Sequence, residues 1–334
     1  MTQEEQLDAA RRMIEGDGGE ASSRCRAAEG AKIVRSLAED GDCLAAWRYM
    51  LDCHERGIGL FKTNKFRRSA KEAIARHEIM QKWVAGRKNP FLSDLSWCDE
   101  KPIRDMMMQR YANARRQRDK FVEDRVKPLV TDRRLESAAG RLRLDWRNRS
   151  SFSDPVAFGI VEFATMYDDS DGFVPVDRAI ETTKRGLDPD YDAAMEMLSN
   201  LRYTWSKVLD TKPGCGLKCR DLVTGRDFFL FERNLSCGPV GKDFIVASGV
   251  MPVGDFYMHT GYSLPLPPDK DDPFEKILDA ALEELGYPRK RGLFGAASRG
   301  PVVLTRAQTA KLASSTIASW VNSPAAESVK MLYL

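Results

Sequence analysis

The chain has 334 residues, 43% of them apolar, and a formal net charge of +3. That apolar content supports a packed core and excludes wholesale disorder, and the length fits one large domain or two to three small ones. No run approaches the ~20 apolar residues of a membrane helix. The acidic opening Met1-Thr2-Gln3-Glu4-Glu5-Gln6 lacks the basic and apolar regions of a signal peptide. Seven scattered cysteines read as reduced thiols. A cytoplasmic protein with no membrane partner is expected.

In chain order, Gln3–Glu15, Ala27–Ala38 and Leu44–Cys53 read as short helices separated by glycine-containing breaks. Leu44, Trp47 and Leu51 place apolar groups on one face of the third. Phe66–Val84 reads as a basic helix stopped by Asn89-Pro90, because proline cannot continue the hydrogen-bond ladder. Pro102–Val126 is the longest helical pattern, and Arg133–Leu144 continues its basic character. Between Lys62 and Arg149 stand 24 Lys and Arg against 12 Asp and Glu. Such a segment hints at an acidic partner; the other reading is that long helices carry solvated cations balanced by acidic neighbours in space.

Asp145–Ser150 reads as a boundary. Pro155–Met166 carries Val156, Phe158, Ile160, Val161 and Phe163 and is expected to be buried. Tyr191–Leu201 is an amphipathic helix leading into the one β-rich stretch. There, Thr204–Leu209, Leu217–Leu222, Asp227–Glu232, Asp243–Val250 and Asp255–Tyr262 read as strands, with turns such as Thr224-Gly225 between them. Phe228, Leu230, Phe244, Val246, Phe256 and Met258 are expected in the core. Even spacing suggests a small antiparallel barrel or sandwich of four to five strands built as a meander. Pro265–Lys270 reads as a stiff linker. Asp272 and Pro273 open a further helix, and Thr305 with Gln308 forms a capping box for the last one. The fold class is therefore α+β, a mainly helical body with one small β module. The expected division is 1–150 helical, with 62–149 basic; 151–266 helices leading into the β module; and 267–334 C-terminal helices.

The run Leu217-Lys218-Cys219-Arg220-Asp221-Leu222-Val223-Thr224-Gly225, then Gly241-Lys242-Asp243, with Asp171-Gly172 and Tyr203-Thr204-Trp205 upstream, resembles a segment of uncharacterised bacterial proteins. Many of those carry a SEC-C zinc-binding motif at one end. The resemblance covers roughly residues 154–266 and implies a fold, not an activity. The SEC-C cysteine cluster is absent here, so no zinc or SecB-like role follows from it.

Cys215, Cys219, Cys237 and His259 together offer four donors of the kind that hold zinc tetrahedrally. The Cys-x3-Cys spacing is looser than the usual knuckle, and plain core or turn cysteines are the other reading. His54-Glu55 and His77-Glu78 lack the second histidine of a zinc-protease motif. Asp168-Asp169-Ser170-Asp171-Gly172 cannot be a calcium loop, because Tyr167 and Arg178 would occupy carboxylate positions. Gly292–Gly295 lacks the Gly-Lys-Ser/Thr of a phosphate loop, and no nucleophile elbow is present. No catalytic residue is singled out.

Three functional readings stand. One is a non-enzymatic binding or adaptor protein with a protein partner. Another is a nucleic-acid-binding protein that uses the basic helices 66–149, with Arg104, Arg115, Arg116, Arg118 and Lys120 on phosphates; Trp83 and Tyr111 read as core-facing or, for a single-stranded target, as stacking residues. The third is an enzyme of unrecognised type.

Overall fold

The computed structural model describes residues 2–16, 24–40, 43–61, 63–84, 95–238, 240–266, 273–288, 290–291, 297–298 and 302–321. The Asn89-Pro90 stop, the Asp272 cap and residues 267–270 of the linker lie outside them, as do the side chains of Trp83 and Pro265. The chain forms two compact units, Met1–Asn113 and Ala114–Leu334. The division falls inside a helix, whereas composition suggested one near residue 150.

The first unit is helical: α1 (Gln3–Glu15), α2 (Arg24–Glu39), α3 (Leu44–Glu55) and α4 (Asn64–Val84), then the start of α5 (Lys101–Phe121). α1 opens with a reciprocal capping box between Thr2 and Glu5, which satisfies two orphan backbone donors. Leu7, Val34, Trp47, Met50 and Phe61 meet in its core.

The second unit continues from α5 through α6 (Asp132–Arg141), α7 (Asp154–Met166), α8 (Pro175–Thr182) and α9 (Pro189–Ser199). Next come β1 (Arg202–Lys212), β2 (Gly216–Asp221), β3 (Asp227–Phe231), the short α10 (Arg233–Cys237), β4 (Ile245–Val253) and β5 (Phe256–Leu266). α11 (Pro273–Glu284) and α12 (Arg306–Val321) follow. The α+β class and the small barrel expected from the sequence are present.

The five strands close into a barrel in the order β1-β2-β3-β5-β4, with β4 returning to β1. This is a Greek-key path rather than a meander. Four of its pairings are antiparallel, and the β3–β5 pairing, Leu230 opposite Tyr257, is parallel. The swap follows from the long break after β3. α10 carries the chain past the β5 position, so β4 pairs with β1 and the tight β4–β5 hairpin fills the remaining gap. Phe228, Leu230, Val246, Phe256 and Met258 are buried as expected, whereas Phe244 precedes β4 and is half-buried.

Two helices cover one face of the barrel. The Tyr203 ring meets Tyr167 edge-on at 5.7 Å, and buried Trp205 donates from Nε1 to the Thr316 hydroxyl of α12 at 2.9 Å. α7 contributes Val156, Ile160 and Phe163 to the core. Its outer positions Phe158 and Val161 are 66% and 44% exposed, which corrects the expectation that this whole helix is buried. Gly249 in β4 allows the close approach of α7: a β-carbon there would collide with the Tyr167 hydroxyl and the Thr260 side chain.

Candidate functional site

The site that gathers the most distinctive side chains is one end of the barrel. Antiparallel and parallel geometry together bring the start of β1, the end of β2, the start of β3 and the start of β5 to that end. Arg202, Asp221, Phe228 and Tyr257 occupy those four positions. They line a cavity of about 270 Å³ together with Arg226 and Val302–Leu304, the segment that leads into α12.

The local chain explains the arrangement. β2 ends on Asp221, whose carboxylate accepts from the backbone N–H groups of Val223 at 2.9 Å and Thr224 at 3.1 Å. This is the turn chemistry of a short acidic side chain. Gly225, at φ +72°, supplies the left-handed residue that reverses the chain into β3. Asp221 is fully buried; it also accepts from the Thr204 hydroxyl and from Arg202 Nε at 3.2 Å. A buried carboxylate with this many donors is fully satisfied, and it anchors the arginine. The Arg202 guanidinium carbon lies 4.5 Å from the Tyr257 ring centre and 5.7 Å from that of Phe228. The two rings meet edge to face at 5.1 Å. Arg220 is taken up by Asp227 at 2.7 Å, while exposed Arg226 has no carboxylate partner among the described residues. A held guanidinium on aromatic rings, beside a free one, suits a planar anionic ligand.

The proposed metal donors are placed differently. Cys215 and Cys219 are buried and Cys237 is exposed. Burial pushes the Cys219 thiol far above its ordinary range. His259 Nε2 contacts the Glu232 carboxylate, and its Nδ1 accepts from the Gly261 N–H at 3.0 Å. Both ring nitrogens are therefore committed, which selects the Nε2–H tautomer and leaves no lone pair for a metal or for proton abstraction. Burial raises the Glu232 carboxyl, but the His259 hydrogen bond and the backbone N–H groups of Asn234 and Leu235 outweigh it and hold the carboxyl below its usual range. Among the described residues no group of three or more His, Cys, Asp or Glu is placed to hold a metal ion.

The basic residues of α5 are also largely engaged. Arg116 pairs with Asp190 at 2.7 Å, and Lys120 pairs with Asp188 at 2.6 Å. Arg118 is only 7% exposed; it donates to the backbone carbonyls of His259 and Thr260 and pairs with Asp119. Its place is under β5, not on a phosphate-binding face. Exposed Arg115 reaches Asp119 at 3.8 Å, and Arg104 donates to the Cys98 carbonyl at 3.2 Å. Tyr111 is buried. Further along, Asp168 is fully buried between two guanidinium groups: Arg134 at 3.4 Å and Arg141 at 2.8 Å. Arg134 also reaches Asp171 at 3.0 Å, so the acidic turn holds arginines where a calcium loop would hold an ion.

Sequence reading missed Arg202, Arg226 and Tyr257, and it took Phe228 for a core residue only. The available signal was the Asp221–Gly225 turn, which must aim one carboxylate back at its own hairpin.

No protein-family model, curated protein or solved structure matches the chain.

Proposed function

We propose that the protein is a binding protein and that its ligand is single-stranded nucleic acid, bound at the barrel end. The observation that supports this reading is the Arg202–Tyr257–Phe228 cluster beside Arg226, which has no carboxylate partner among the described residues. Bases stack on aromatic rings and on guanidinium planes, and phosphates seek unpaired cations. Fold analogy adds support: five-stranded Greek-key barrels of the OB class bind oligonucleotides and oligosaccharides. A shared fold does not carry a function by itself, so the weight stays on the side chains. The commitment of His259 to Glu232 and Gly261 favours binding over acid–base catalysis at the neighbouring strand.

This moves the nucleic-acid reading from the basic helices 66–149 to the barrel. One available cation implies weak salt dependence: at about 0.7 per neutralised phosphate, the log–log slope for a single strand is about −0.7. The test is a fluorescence-anisotropy titration of a labelled single-stranded 12-mer between low and moderate salt, with a duplex as competitor. Saturable binding with a shallow slope and poor competition by duplex is expected. Equal affinity for duplex, or no binding at low salt, would overturn the reading.

A further inference from the structure

Resting on the single-strand reading, we infer that the barrel end is a seat for one nucleotide, with the base stacked on the Arg202 guanidinium as a third layer over Tyr257 and the phosphate neutralised by Arg226. Three features specify this geometry.

The guanidinium is already held over the ring. Asp221 fixes Arg202 through Nε, and the Thr204 hydroxyl and two backbone N–H groups fix Asp221 in turn. The guanidinium lies against Tyr257 while the Arg202 side chain stays 29% exposed. A ligand stacking there orders little that is not ordered already, which removes much of the usual cost of association. Arginine serves this role and lysine does not, because only the guanidinium presents a flat, weakly hydrated face.

The charge is available. Asp221 is matched by Arg202 and Asp227 by Arg220, so among the described residues the Arg226 charge is left over at the lip. Arg226 sits in the exposed turn directly after Gly225, within reach of anything entering the cavity.

The size selects one nucleotide. A cavity of about 270 Å³ falls just under the ~300 Å³ lower bound for drug-sized ligands. That is room for one base with its sugar. Val302, Val303 and Leu304 supply an apolar wall, and Val303, at 80% exposure, is the surface that a base would cover.

The test is isothermal titration of the full chain with each of the four nucleoside monophosphates, with the matching nucleosides, with inorganic phosphate and with a single-stranded 12-mer. A nucleoside monophosphate is expected to saturate one site, the nucleoside to bind about tenfold more weakly, and phosphate alone not to saturate. Arg202→Lys keeps the charge and loses the plane; it should weaken the monophosphate and the 12-mer alike by about tenfold, or 1.4 kcal/mol. Arg226→Ala, at an exposed turn, should weaken the monophosphate but not the nucleoside. Phosphate binding as tightly as the monophosphate would make this a plain anion site and overturn the nucleotide seat. So would Arg202→Lys or Arg226→Ala with unchanged monophosphate binding. If the 12-mer binds and no monophosphate does, the seat falls and the single-strand reading survives. If neither binds, both fall.

Discussion

The Arg202 guanidinium sits over the Tyr257 ring across two strands that share no hydrogen-bonded edge, since β1 pairs with β2 and β4, and β5 pairs with β3 and β4. The contact is therefore a side-chain tie across the barrel end, with Asp221 holding its cationic half. Tyr257→Leu removes the ring face and should cost about 0.5–2 kcal/mol in urea unfolding, the range of cation–π contacts from exposed to desolvated. Tyr257→Phe keeps the face and should unfold like the parent. An equal loss in both variants would show that the hydroxyl, not the stack, matters.

Asp168 is the buried centre of an ion-pair network with Arg134 and Arg141. Removing one partner of a buried pair leaves charge without compensation and costs about 3–5 kcal/mol. Asp168→Ala should lower stability by that amount, measured by urea unfolding followed by tryptophan fluorescence. Asp169→Ala, on the exposed side of the same turn, should cost under about 1 kcal/mol.

Glu162 is buried in α7, with its carboxylate against the Thr260 hydroxyl. Burial pushes its carboxyl above the ordinary glutamate range, against the lowering effects of Thr260 and Arg118. The folded state thus holds this proton more tightly than the unfolded chain does. The stability it contributes is complete below the unfolded value and is lost as pH rises through the folded one. Glu162→Gln keeps an acceptor for Thr260 and removes the titration. Its melting temperature should exceed that of the parent at neutral pH, and the gap should narrow towards pH 4. A gap that widens on acidification would contradict the assignment.

Gly249 sits where a β-carbon would strike the Tyr167 hydroxyl and Thr260. Gly249→Ala should destabilise by about 1–3 kcal/mol through overpacking. The same change at Gly241, which has open space around it, should be nearly silent in the same unfolding assay.

The elements were legible and their arrangement less so. Short runs of aromatic and β-branched residues between turn residues gave five strands close to their observed bounds. Their order was hidden because β3 and β5 pair in parallel across the α10 break, a long-range choice that no local pattern records. The same distance in sequence hid the site. Arg118 looked like one more cation on a basic helix, yet it caps carbonyls more than 140 residues away. Arg116 and Lys120 likewise find Asp190 and Asp188 from beyond the basic segment, so its excess charge is partly met within the fold. Phe228 alternated correctly for a core residue; its pairing with Tyr257 and Arg202 depends on barrel closure.

The most direct measurement is hydrogen–deuterium exchange of the full chain with and without a saturating single-stranded 12-mer. Protection is expected at the barrel end, over residues 202–206, 221–228 and 256–258, with little change along 101–121. Protection confined to 101–121, with the barrel end unchanged, would contradict the location of the site and place it on the basic helix.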